Sequence, residues 1–359
     1  YEICACLVGS EMCIRDSQRT YGGRVMLNVG VIGCGGMGKD HIKRLTNKIQ
    51  GANVVAVSDV FEEGAKEAAA LAGGAKVYTD GKDLINDPDV DAVFIVSPGF
   101  AHTDSLLQAI EAGKRVFCEK PLATTAEDCK KVVDAEAASG KHLIQLGFMR
   151  RYDKGYVQVK EALQSGEYGE PLILHCTHRN PEVGTNYNTP MAVHDTAIHE
   201  IDTLHWLVDD EYESAQVIMP KVTKYSHSEL KDPQIMLLRT KRGICIDVEV
   251  FVNCKFGYDI NCEVVCEDGA IKMAEPSYPS IRKNAEVSTA IDTDCFVRFE
   301  DAYDTEVQNW VDCAGQGVIS GPTAWDGYLA AVTADALVKA QETGQIEPIV
   351  TAEKPEFYK

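Results

Sequence analysis

The stretch MLNVGVIGCGGMGKDHIKRL, residues 26–45, constrains the fold more than any other. A short apolar strand runs into Gly33, Gly35, Gly36 and Gly38, and Ile42, Leu45 and Ile49 then recur at helical spacing. The pattern G-x-G-x-x-G is informative only between a strand and a helix, and here it has that setting. Gly33 permits a tight turn, Gly35 lets backbone approach a pyrophosphate, and Gly38 lets helix pack on strand. Gly36 and Met37 complete the turn, where helix amides meet phosphate charge. A second strand, NVVAVSD, ends at Asp59, 21 residues after Gly38. A carboxylate there bonds the adenosine ribose hydroxyls and repels a 2′-phosphate, which favours NAD over NADP. The bland alternative is a solvated acid at a strand end.

The alternation continues with a helix at 61–72, strand AVFIVS, a helix at 104–112, strand RVFCEK, a helix at 125–139 and strand HLIQLGF. Such a repeat builds a doubly wound parallel sheet of Rossmann type, with ligands at the carboxyl ends of its strands. The loops after Ser97 and Cys118 therefore face the nicotinamide end. CEKPLATT places Glu119 and Lys120 where cofactor and substrate meet, and Pro121 fixes the backbone that aims the lysine. A lysine is usually a solvated surface group. Beside a buried cofactor it can be desolvated and hydrogen-bond a substrate hydroxyl.

At 359 residues the chain is long for one core, so two domains are expected. A formal charge of −20 repels a nucleic-acid backbone, and no basic cluster makes an exception. The thirteen cysteines are scattered without a C-x-x-C pair, a pattern of reduced thiols in a cytoplasmic protein. No apolar run approaches membrane-spanning length. Residues 1–25 lack helical or strand periodicity and do not form a signal peptide; a non-native leader ahead of Met26 is the expectation.

Beyond Gly147 the pattern changes. FMRRYDKGY opens a helix, GEPLILHCTHRN supplies a strand, and later strands recur without regular intervening helices. GICIDVEVFVN sends Ile244, Ile246, Val248, Val250 and Val252 to one face, and YDINCEVVCEDG does the same with Ile260, Cys262, Val264 and Cys266. The Asp268-Gly269 turn leads into AIKM. The expected organisation is a Rossmann domain at 26–148 and, at 149–359, an α+β domain whose large, open, mostly antiparallel sheet presents one face to another subunit.

MAVHDTAIHEIDTLHW, residues 191–206, is the densest run of polar chemistry. On a helix Asp195, His199 and Asp202 share one stripe, while Ile198, Ile201, Leu204 and Val208 share another. His194, His199 and His205 do not share a face, and H-E-x-x-H fails at Thr203, so zinc is not expected. Glu200 and His205 fit a charged surface face. The cofactor domain still lacks a base, and His199 has the ordinary pKa to take a hydroxyl proton near neutral pH, with Asp195 one turn earlier to orient it. Lys120 then stabilises charge developing on the reacting oxygen.

Taken in order, the glycine turn, EKP, GFMRRYD and D-x-x-x-H resemble the glucose-fructose oxidoreductase and inositol dehydrogenase family. HCTHRNPEVGTNY, LKDPQI, NCKFGYDINCE and SGPTAWDGYLAAVT extend the likeness from about Met26 to the C-terminus. The resemblance implies an NAD-dependent oxidoreductase, with Lys120, Asp195 and His199 as catalytic trio and with myo-inositol oxidised to its 2-keto form. It implies that Gly33, Gly35, Gly36, Met37, Gly38, Asp59, Ser97, Glu119 and Lys120 bind cofactor. It further implies that Arg150, His178, Asn180 and Tyr258 join the trio around the polyol, in a homotetramer. One departure, VSPGFAH with Pro98 and Phe100, bears on which polyol fits. Dehydrogenases of scyllo-inositol, a chiro isomer or an aldose are the near alternatives, and a non-catalytic sensor is the distant one.

Overall fold

A computed structural model describes residues 20–21 and 24–359. The expected leader lies outside the described residues, apart from the pairing of β1 (Thr20–Tyr21) with β2 (Arg24–Val25). Strands β3 (Leu27–Ile32), β4 (Ala52–Ser58), β5 (Lys76–Tyr78), β6 (Ala92–Ile95), β7 (Arg115–Glu119) and β8 (Ile144–Gly147) form a parallel sheet in the order β5-β4-β3-β6-β7-β8. β6 and β8 are buried at every residue, as strands covered on both faces must be. Helices α1 (Gly36–Asn47), α2 (Glu62–Leu71), α3 (Gly81–Ile85), α4 (His102–Glu111) and α5 (Ala126–Ser139) run between them. The strand order reverses between β3 and β6, which opens a crevice at their carboxyl ends. β5 and α3, three and five residues long, were not expected because neither is long enough to display a period.

In the second half, α6 (Lys154–Ser165) is capped by Asp153, whose side chain accepts from the amides of Gly155 and Tyr156. The second sheet contains β9 (Pro171–Arg179), β10 (Tyr212–Ile218), β11 (Gln234–Thr240), β12 (Cys245–Phe251), β13 (Asp259–Cys266) and β14 (Ala270–Lys272). A separate hairpin, β15 (Ser280–Lys283) and β16 (Glu286–Thr289), precedes its last strand, β17 (Glu347–Pro348). The order is β14-β13-β9-β12-β11-β10-β17, and only β9 with β12 is parallel. Ile246, Val248 and Val250 on β12, and Ile260, Cys262 and Val264 on β13, are buried on one face, as their alternation requires. Helices α7 (Ile198–Val208) and α10 (Ala324–Thr343) share the core with that face. A Thr323–Asp326 capping box starts α10 and left-handed Gly344 ends it. The other face carries ion pairs, among them Arg179 with Glu249 and Asp259.

Between these helices come α8 (Cys295–Arg298) and α9 (Glu300–Gly315). α9 returns to the first sheet: Val307, Trp310 and Val311 share a core with β3, α1 and α2, and Trp310 Nε1 donates to Val116 O at 3.2 Å. A helix late in the chain thus closes the far face of the early sheet. No described helix is long and apolar enough to cross a membrane.

Glu306 on α9 is fully buried, and neither carboxyl oxygen has a hydrogen-bond partner among the described residues. Burial pushes its pKa well above the ordinary carboxylate range, and the charges of Glu119 and Asp202 push the same way. An acid whose folded pKa is raised loses stability as pH climbs above its unfolded value of about 4.3. Glu306→Gln removes that loss. In urea unfolding at pH 5 and pH 8 the variant should gain on the wild type with rising pH, by up to about 1.4 kcal/mol per pH unit. An identical difference at both pH values would show that the carboxyl ionises freely in the folded state.

Candidate active site

The glycine turn is built by close backbone approach. Gly33 has φ +99°, and a Cβ there would lie 2.5 Å from Ser97 N, at the end of the neighbouring strand β6. A Cβ on Gly38 would lie 2.0 Å from Gly33 O, so only glycine lets α1 start against β3. At Gly35 and Gly36 a Cβ would meet no protein atom within 4 Å. Those two glycines leave room beside an α1 N-terminus that no side chain caps and no acid in the first turn neutralises, a site suited to an anion. Met37 packs at the core edge. Asp59 braces the turn: its two oxygens accept from Cys34 N at 2.7 Å and Phe61 N at 2.9 Å. Each oxygen retains a further lone pair for ribose hydroxyls.

The loops after β6 and β7 are tied together by His102, which is fully buried. Its Nε2 meets Ser97 O and its Nδ1 meets Pro121 O, both at 2.7 Å. The Ser97 hydroxyl is buried without a partner among the described residues. Glu119 points inward, with Oε1 at 2.8 Å from His41 Nε2 and Oε2 accepting from Lys120 N at 3.1 Å. Through Oε2 it braces the lysine's backbone. His41 and His102 were not singled out in the sequence because each stands alone in its segment, with no spacing that relates it to the site.

Lys120 Nζ donates to Asp195 Oδ1 at 2.9 Å and to Asp195 O at 3.0 Å. Asp195 lies in a wide π-helical turn, Ala192–Ala197, just before α7. That turn breaks the i,i+4 relation expected between Asp195 and His199, and Asp195 pairs with Lys120 instead of orienting the imidazole. His199 is partly exposed, its Nδ1 is buried without a partner among the described residues, and its ring centroid lies 6.5 Å from those of Phe148 and His178. Burial holds its pKa well below the ordinary value, and the positive charges of Lys120 and Arg150 add to the effect. Neutral His199 therefore stands beside a charged lysine.

Glu200 is not on a surface face. It is fully buried, where its carboxylate pairs with Arg150 through Oε1 and meets His178 Nδ1 at 2.8 Å through Oε2. Burial opposes its charge, but Arg150 and His178 outweigh burial and bring its pKa down to about 2. Arg150 is also fully buried, with its guanidinium 5.2 Å from the Phe299 ring centroid. Asp202, placed on the polar stripe, is bound by Arg151 and takes no part in the site. Tyr258 stands edge-on to His178 at 5.8 Å. Asn180 is held through its backbone by Phe251 and Cys254, and its partly exposed side chain has no hydrogen bond among the described residues. The crevice thus gathers Lys120, Asp195, His178, His199 and Tyr258, with Arg150 and Glu200 behind.

Residues 27–148 match the family model described as an oxidoreductase family with NAD-binding Rossmann fold, and residues 160–350 match the C-terminal alpha/beta domain of that family. The chain belongs to this oxidoreductase family. The inositol 2-dehydrogenase of Azotobacter vinelandii (strain DJ / ATCC BAA-1303) is 54% identical over 333 residues, covering 92% of this chain and 98% of its own. Among solved structures, myo-inositol dehydrogenase from Lactobacillus casei in complex with NAD(H) and myo-inositol is 45% identical with a TM-score of 0.91, covering 93% of this chain and 100% of its own. The scyllo-inositol dehydrogenase of the same organism is 26% identical with a TM-score of 0.85, over 90% of this chain and 99% of its own.

In an NAD-binding Rossmann fold, we propose the open space at Gly35 and Gly36 as the seat of the NAD pyrophosphate. Two substitutions separate folding from binding. Gly38→Ala collides with Gly33 O, so both unfolding temperature and NAD affinity should fall, the latter by about fivefold or more where an overpacking cost of about 1–3 kcal/mol falls on the bound conformation. Gly36→Ala meets no protein atom and should weaken NAD in calorimetric titration while leaving the unfolding temperature in place. Unchanged NAD affinity in Gly36→Ala would mean that the dinucleotide does not approach there.

Proposed function

We propose that the protein is an NAD-dependent inositol 2-dehydrogenase that oxidises myo-inositol to 2-keto-myo-inositol. The observation that carries this reading is the Lys120–Asp195 pair at the end of an NAD-binding sheet, with the rings of His178 and His199 together on the second domain. Bound NAD supplies the acceptor for the hydride that leaves the secondary carbon. Lys120 donates to the reacting oxygen and stabilises its growing negative charge, and Asp195 holds the lysine in that position. His199 takes the hydroxyl proton, and its depressed pKa returns that proton readily to solvent between turnovers. An uncharged polyol calls for hydrogen-bonding groups and not a charged clamp, which His178, Asn180 and Tyr258 supply.

The ten described cysteines are free thiols, which fits a reducing cytoplasm. The outer face of the second sheet, with Ile173 and Phe256 exposed among its ion pairs, supports a homotetramer assembled through that face.

NADH formation tests the reading. Purified protein with NAD and myo-inositol should turn over, and His199→Ala should lose about 10²–10⁴-fold in kcat. Because the base works unprotonated and its folded pKa lies below 6.5, kcat/KM should rise with pH only through an acid limb below that value and then level off. Turnover with scyllo-inositol or glucose but not myo-inositol would move the substrate assignment, and an acid limb above pH 7 would reject His199 as the base.

A further inference from the structure

Glu200 carries a consequence beyond the catalytic trio. It follows His199 directly, yet its carboxylate lies behind His178, a strand residue of β9, and meets Nδ1 at 2.8 Å. The same Nδ1 lies 3.1 Å from Arg150 Nη2. A guanidinium can only donate and a carboxylate can only accept, so the two neighbours ask opposite things of one ring nitrogen. If Nδ1 were bare, its lone pair would face a carboxylate oxygen across the shorter distance. If Nδ1 carries the proton, it satisfies Glu200, and Arg150 still bonds Glu200 through Nη1. The protonated form of Nδ1 therefore wins. Protonating both nitrogens is opposed by burial and by the charges of Arg150 and Lys120, which outweigh the favourable Glu200 carboxylate and keep His178 below its ordinary pKa. His199 differs, since its Nδ1 has no acceptor among the described residues.

We propose that Glu200 is a positioning residue for substrate recognition: it fixes His178 as the Nδ1–H tautomer, so that Nε2 presents a lone pair to one hydroxyl of the polyol other than the reacting one. Arg150 keeps Glu200 ionised. The inference rests on the polyol reading above and adds the specificity element of that site. It requires a substrate hydroxyl that donates at a fixed place, so that a polyol lacking that one hydroxyl binds poorly while its oxidation chemistry is unaltered.

Two measurements decide it. In the wild-type holoenzyme with ¹⁵N-labelled histidine, the resonance that disappears in His178→Ala should show a protonated Nδ1 and a bare Nε2 at neutral pH. In kinetics, His178→Ala and Glu200→Gln should raise KM for myo-inositol by about tenfold or more, with kcat changed about threefold or less and NAD affinity unaltered. Across a panel of mono-deoxyinositols, one analogue should be penalised in the wild type and not further penalised in His178→Ala. Should Glu200→Gln fail to fold for want of a partner to Arg150, the His178→Ala panel and the tautomer remain decisive. A wild-type His178 with its proton on Nε2, or penalties that simply add in His178→Ala, overturns the inference. Failure of the dehydrogenase reading looks different, because the wild type then forms no NADH with any polyol while the tautomer of His178 can still be read.

Discussion

The 2.0 Å separation that a Cβ on residue 38 would have from Gly33 O is the constraint on which the site depends. Without that methyl, α1 lies against β3 with its first amides open, and Gly33 in turn touches Ser97 at the end of β6. The strand order reverses between these two strands, so the glycine contact fixes the crevice as well as the open N-terminus of α1. From Ser97 the constraint passes through His102 to Pro121, next to Lys120. A chain of backbone carbonyls and one buried ring thus relates the glycine turn to Lys120.

The charges at the crevice are arranged by partner and by burial. Lys120 is paired with Asp195 across the two halves of the sequence, and Arg150 with Glu200 in the interior. An unpaired buried ion is far costlier than a paired one, so each cation brings its own carboxylate. The histidines are left as the uncharged members: both His178 and His199 are held below their ordinary pKa, first by burial and then by these cations. Such an arrangement suits an uncharged polyol, with the charge locked in pairs.

Much of this was legible in the sequence wherever local spacing sets the structure. The glycine turn, the alternating burial of β12 and β13, and the Gly344 stop of α10 depend on residues a few positions apart, and all appear as expected. The departures come from contacts between distant segments. Glu200 looked like a surface acid because its partners lie 50 residues away at Arg150 and 22 away at His178. Asp195 matched a helical stripe with His199, but the π-helical turn before α7 alters the count, and a period of 3.6 does not register an inserted residue. Nothing local marks α9 as a cover for the first sheet, since its amphipathic spacing suits any apolar partner.

Arg150 joins these threads. Buried beneath Phe299, it acts in opposite directions on two neighbours one residue apart, holding Glu200 ionised and making protonation of His199 harder. The first effect gives His178 a carboxylate to donate to, and the second keeps His199 ready to accept. A lysine in its place would offer one point charge, whereas the planar guanidinium bonds Glu200 while its face lies over the Phe299 ring. Arg150 therefore couples the protonation of Glu200 to that of His199.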